Sequence, residues 1–129
     1  MKNPQTLIKI TLQLAALTTF FLGLFIIIKP DLLIMWFDGY SAGDYHIVRF
    51  IGTALIGFSV MNWIYSQSKD LKAVLPAIYG NLTSISLAVI VDLIGLATGS
   101  LSMAAWLILA VHAVFAGAFI YCVWLIKKL

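Results

Sequence analysis

The chain has no glutamate, one cysteine and little charge of either sign: Lys and Arg total 8 and the acidic residues, all aspartate, 5 in 129 residues. A soluble globular domain carries charge on about a quarter of its residues. A chain that is 10% charged and 63% hydrophobic is therefore not such a domain and belongs in a bilayer. With Cys122 alone, neither an internal disulfide nor a two-cysteine thiol relay can form within one chain. The net charge of +3 is scattered, with no basic patch to follow a phosphate backbone, which argues against a nucleic-acid partner. One cysteine, two distant histidines and no glutamate supply no metal-ligand cluster of usual spacing.

What the chain does have is long apolar runs. A hydrocarbon core about 30 Å thick takes about 20 apolar residues per helical crossing. Runs at Thr6 to Ile28, Tyr45 to Ser66, Ala73 to Ala97 and Leu101 to Ile126 each meet that length. The expected fold is all-α, an integral membrane four-helix bundle forming a single transmembrane domain over 1–129, with no repeat or linker. The first run follows Lys2 and contains Leu14-Ala15-Ala16, like a cleavable leader. It continues well beyond the roughly 7 to 15 apolar residues of a signal peptide, so it is expected to persist as a span. Lys29-Pro30-Asp31 breaks the run sharply. Asp31 to Phe37, too short to cross and rich in large apolar side chains, predicts a short interfacial helix, and Asp38 to Asp44 a turn-rich loop.

Six lysines (Lys2, Lys9, Lys69, Lys72, Lys127 and Lys128) fall at one end of these spans. Lys29 and Arg49 fall at the other, together with Asp31, Asp38 and Asp44. The bias predicts a multi-pass protein of the cell membrane with both termini cytoplasmic. Aromatics agree, with Trp36, Tyr40, Tyr45 and Trp106 at the outer boundary and Trp63, Tyr65, Tyr121 and Trp124 at the inner one.

An ionisable group at mid-helix costs about 2.5–3.5 kcal/mol, so each one inside a span should face protein or water and have a partner. Those to account for are Arg49, Asp92 and His112, with Gln13, Asn62 and Asn81 as neutral companions. At about 100° per residue, Asn81, Ser84, Ala88, Asp92, Gly95 and Gly99 share one stripe of the third span. Gly52, Thr53, Ile56, Gly57 and Val60 lie on or beside the Arg49 meridian of the second. The two stripes are expected to face each other, and Arg49 and Asp92, both about 10 Å to the outer side of the midplane, to form an ion pair. Such a pair either neutralises two buried charges and fixes helix register, or lines a site where Arg49 holds an anionic headgroup or carboxylate.

His112 falls about 8 Å deeper than Asp92 on this counting, beyond direct reach without stagger or a bridging water. Its readings are a neutral imidazole bonded to another helix, a proton relay or a cofactor ligand. His46 and His112 differ too much in depth for one chain to hold a haem between them. Gln13 and Asn81 lie at matched depth and are expected to hydrogen-bond, whereas Asn62, roughly opposite Arg49 on its helix, is expected to be solvated at the interface. Ala113 and Gly117 form a small-residue pair suited to a dimer face.

The absent glutamate sets aside small multidrug exporters, which depend on one in their first span, and the absent cysteine pairs set aside quinone-reducing enzymes of the vitamin K type. Over residues 30 to 126, the run Arg49-Phe-Ile-Gly52-Thr-Ala-Leu-Ile-Gly57, then Met61-Asn62-Trp63, Asn81, Gly99, Trp106, His112, Phe119 and Tyr121, resembles small four-helix bacterial proteins loosely related to DoxX. DoxX-type proteins are named for association with a quinone-linked sulfur oxidoreductase, so the resemblance implies an accessory or redox-partner membrane subunit.

No nucleophile or acid pair is apparent, and the residues name no cofactor. The leading expectation is a non-enzymatic module that binds a lipid, a quinone-like molecule or a membrane partner through a polar seam of Arg49, Asp92, Asn81, His112 and Gln13, or through its small-residue faces. A second is a proton or small-anion transporter working as a homo-oligomer, with Arg49 as anion anchor and Asp92 or His112 titrating. A third is a membrane oxidoreductase subunit with a bound cofactor.

Overall fold

Asn3 and Pro4 start the first helix: the Asn3 carboxamide accepts from the Gln5 N–H at 3.0 Å, and proline fits a first-turn position whose N–H has no helical partner. The computed structural model describes residues 3–34, 45–99 and 105–128. They form α1 (Pro4–Ile28), α2 (Pro30–Ile34), α3 (Tyr45–Ser66), α4 (Leu75–Ala97) and α5 (Ala105–Lys127). The protein is all-helical, and α1, α3, α4 and α5 are each long and apolar enough to cross a membrane.

Helix ends follow the local chemistry. Lys29 closes α1 by donating its N–H to the Phe25 carbonyl at 2.8 Å, and Pro30 opens α2. The short helix expected at Asp31 to Phe37 starts one residue earlier, and Met35 to Phe37 lie outside the described residues, as do Trp36, Tyr40 and the expected loop at 38–44. After α4 the chain reaches Gly99 at φ 71°, in the left-handed region that glycine enters at little cost. The turn from α3 to α4 is held by the Lys72 N–H donating to the Asp70 carboxylate at 2.9 Å and by Ser68 Oγ accepting from the Asp70 N–H.

The helices pack as two antiparallel pairs, α1 against α3 and α4 against α5. In the first pair the backbones nearly touch. A Cβ added at Gly23 would stand 2.6 Å from the Gly52 carbonyl oxygen, and one at Gly52 would stand 2.8 Å from that of Gly23. Where lipid tails are as apolar as the side chains, close packing of this kind is what holds helices together. The expected juxtaposition of the second and third spans is thereby corrected: the glycine face of α3 is spent on α1, and α3 and α4 meet only narrowly.

The two pairs join at the lysine-rich end. There Ile8 and Leu12 of α1, Ile78 of α4, and Phe119, Cys122 and Ile126 of α5 form a buried cluster. At its edge Asn62 of α3 and Asn81 of α4 exchange hydrogen bonds of 3.1 and 2.6 Å, and the Asn81 amide also donates to the Ala77 carbonyl at 2.7 Å. Two expectations fall here. Asn62 is fully buried rather than solvated, and Asn81 bonds to it rather than to Gln13, which is only half-buried. The reason is that α4 presents Asn81 to α3.

Candidate functional site

Above the asparagine pair the two helical pairs diverge, leaving a cleft of about 380 Å³. Ala15, Thr18, Thr19 and Leu22 line it from α1, and Phe50, Ala54 and Phe58 from α3. Across from them stand Asn81, Ser84 and Ala88 of α4 and His112 and Phe115 of α5. Alternation of small and aromatic residues explains the space: Ala54, Ala88 and Ala15 leave room that Phe50, Phe58 and Phe115 frame. From Asn81 to the level of Asp92 is about 16 Å along α4, so the cleft is tall and narrow.

Its walls are mostly apolar. The Thr19 hydroxyl donates back to the Ala15 carbonyl at 2.8 Å, a bond internal to the helix that leaves the oxygen as a weak acceptor. The strongest polar group is His112, whose Nδ1 lies 2.7 Å from Asp92 Oδ2. Where Asp92 is the acceptor of this contact, Nδ1 is the donor, and Nε2 is the ring nitrogen left to face the cleft. Asp92 does not itself line the cleft; it stands behind the imidazole and fixes its rotation. Carboxylate, imidazole and open second nitrogen make an oriented hydrogen-bonding group.

This pairing replaces two expectations. His112 reaches Asp92 directly, with no bridging water needed across the 2.7 Å between Nδ1 and Oδ2; the expected start of the fourth span at Leu101 lies outside the described residues. Arg49 does not meet Asp92. Its Nε donates to the Ile27 carbonyl at 3.3 Å and its side chain is exposed. The reason is the rotation of α3 onto α1, which turns the Arg49 face toward the C-terminal end of α1, where carbonyls lack helical partners and a cation is favoured.

Of the polar residues singled out in the sequence, the cleft collects His112 and Asn81, with Asp92 behind His112; Arg49 and Gln13 are not part of its lining. Asn62, which secures its base, is expected from the sequence to be solvated, and the wall residues Phe58 and Phe115 carry no signal there. Among the described residues no group of three or more His, Cys, Asp or Glu side chains gathers to hold a metal. No family model, curated protein or solved structure matches this chain.

Proposed function

We propose that this protein is a non-enzymatic membrane binding module that admits the apolar body of a lipid or quinone-like molecule to the cleft between its helical pairs and hydrogen-bonds the polar head through His112. The observation that carries this reading is a mostly apolar cleft bearing one imidazole oriented by Asp92. Small-molecule sites are commonly about 300–1,000 Å³, apolar, with a few placed polar groups, and the cleft fits the small end of that range. The resemblance to the DoxX-like proteins points the same way, toward an accessory subunit that serves a membrane partner.

In this reading the lysine-rich end, carrying the N-terminus of α1 and the C-terminus of α5, faces the cytoplasm of a cell-membrane protein. Supporting it, Lys128 Nζ lies 3.7 Å above the Trp124 ring, which stacks on Tyr121, as in an interfacial aromatic belt. The short helix α2 lies at the opposite headgroup level. Gln13 and Arg49 take no part in the cleft.

The test is equilibrium binding of decylubiquinone and of a pyrene-labelled phosphatidylcholine to the purified chain. Ala88→Trp, which fills the cleft, is expected to abolish binding of the ligand. His112→Ala is expected to weaken it about tenfold, as for one hydrogen bond from an oriented group. Retained binding of both probes in a folded Ala88→Trp protein would overturn the proposal. A second reading, proton transfer, draws on the Asp92–His112 contact within the spans. It predicts a pH-driven flux in liposomes that Asp92→Asn abolishes, and a silent wild-type protein removes it.

A further inference from the structure

The helical pair α1–α3 has a second face, about opposite the one that walls the cleft. At its lysine-rich end lies a polar pocket of about 410 Å³ lined by Thr6 and Lys9 of α1 and by Ser66, Ser68 and Lys69 of α3 and the turn after it. The pocket is built by hydrogen bonds: the Gln5 side chain donates to the Lys69 carbonyl at 3.3 Å, pinning that turn over the start of α1. Ser66 and Ser68 are committed to the Trp63 and Asp70 carbonyls. Lys9 and Lys69 form no ion pair among the described residues. Asp70, the nearest acid in the turn, lies outside the lining and accepts from the Lys72 N–H.

Further along the same pair runs an apolar groove of about 270 Å³ between Ala16, Leu17 and Phe20 of α1 and Ser59, Val60 and Trp63 of α3. Pocket and groove share a face. At about 100° per residue Thr6, Lys9, Ala16, Leu17 and Phe20 fall within about 60° of one meridian of α1, and Ser59, Val60, Trp63 and Ser66 do so on α3. From Lys9 to Ala16 is about 10 Å along the axis. A cationic, hydroxyl-lined pocket at the headgroup level, with an apolar groove about 10 Å deeper, has the layout of a phospholipid: phosphate above, acyl chain below.

We propose that this face is a binding site for one anionic phospholipid. Lys9 and Lys69 hold the phosphate, the Thr6 hydroxyl donates to it, and an acyl chain lies between Phe20 and Trp63. Lys9 stands about a turn and a half into α1, and its alkyl stem carries the ammonium back to the headgroup level. The site is separate from the cleft and does not depend on what the cleft binds.

The test is the lipid retained by the full chain isolated from phosphatidylcholine vesicles doped with phosphatidylglycerol, read by mass spectrometry. Phosphatidylglycerol is expected to be enriched. The Lys9→Gln, Lys69→Gln double variant should lower that enrichment about 30-fold, equal to about 2 kcal/mol at 1.4 kcal/mol per tenfold, while Lys9→Arg, Lys69→Arg keeps most of it. Val60→Trp, which fills the groove without changing charge, should also lower it. Lys127→Gln, Lys128→Gln removes the same charge from the same end and should leave the enrichment nearly unchanged. An equal loss in that variant, or displacement of the lipid by an equal concentration of inorganic phosphate, would overturn the assignment. Both lysines are exposed, and unfolding curves matching wild type confirm that the variants are folded.

Discussion

Removing either partner of the Asn62–Asn81 pair should loosen the junction of the two helical pairs, and the size of the effect follows from the geometry. Asn62 is 0% exposed and Asn81 5%, so neither carboxamide can turn to water or lipid headgroups when its partner is lost. Interhelical hydrogen bonds in membranes average about 0.6 kcal/mol and reach about 1.7. Two reciprocal bonds, one of them 2.6 Å long, therefore couple the residues by about 1–2 kcal/mol. Asn62→Ala leaves the Asn81 amide bonded to the Ala77 carbonyl but strands its oxygen; Asn81→Ala strands both ends of Asn62. Each single variant should lose about 2 kcal/mol, and the double variant clearly less than the sum. Reversible unfolding in mixed micelles, followed by tryptophan fluorescence and far-UV circular dichroism, gives the three differences and hence the coupling. Additivity within about 0.5 kcal/mol would refute the pairing.

Gly52→Ala should destabilise the protein by about 1–3 kcal/mol, because its Cβ meets the Gly23 carbonyl and the Ile27 side chain; Gly57→Ala, with open space around it, should be neutral or mildly stabilising, and the same unfolding assay checks both. Nitrogen-15 NMR of the imidazole should show His112 protonated at Nδ1, with that signature lost in Asp92→Asn; a wild-type ring protonated at Nε2 alone would contradict the assigned donor. Arg49→Ala should cost under about 1 kcal/mol, the value of a cation at an exposed helix end, and a loss of several would mean that the guanidinium has a buried partner. Cysteines placed at positions 3 and 128 should react with an impermeant maleimide only after spheroplasts are opened, and labelling of intact ones would reverse the proposed orientation.

The four long helices were legible in the sequence because apolar run length against a fixed bilayer thickness is a one-dimensional property of the chain. Depth was only partly legible: residue counting sets Asn81 level with Gln13, whereas its partner is Asn62, which the same counting sets at the interface. Azimuth was not. Which face of α3 meets which neighbour depends on the backbone approach at Gly23 and Gly52, two residues far apart in sequence whose only signal is lack of a side chain. Once that contact turns the Arg49 face onto α1, Asp92 takes His112 instead. The cleft was illegible for a related reason, since an empty volume leaves no mark on any single helix.

Joining the two helical pairs at one end makes the molecule a lever whose fulcrum is the buried cluster and its asparagines. His112 stands about 16 Å from that fulcrum, so a tilt of about 5° between the pairs moves the opposing walls there by about 1.4 Å and hardly disturbs Asn62 and Asn81. Phe50, 76% exposed, lies on the rim of the cleft, on a flank that lipid would cover in a bilayer. On the proposed function, the ligand arrives sideways, by diffusion within the leaflet. What governs occupancy is then its mole fraction among lipids, and an affinity measured in aqueous molar units would misstate how full the cleft is in a cell.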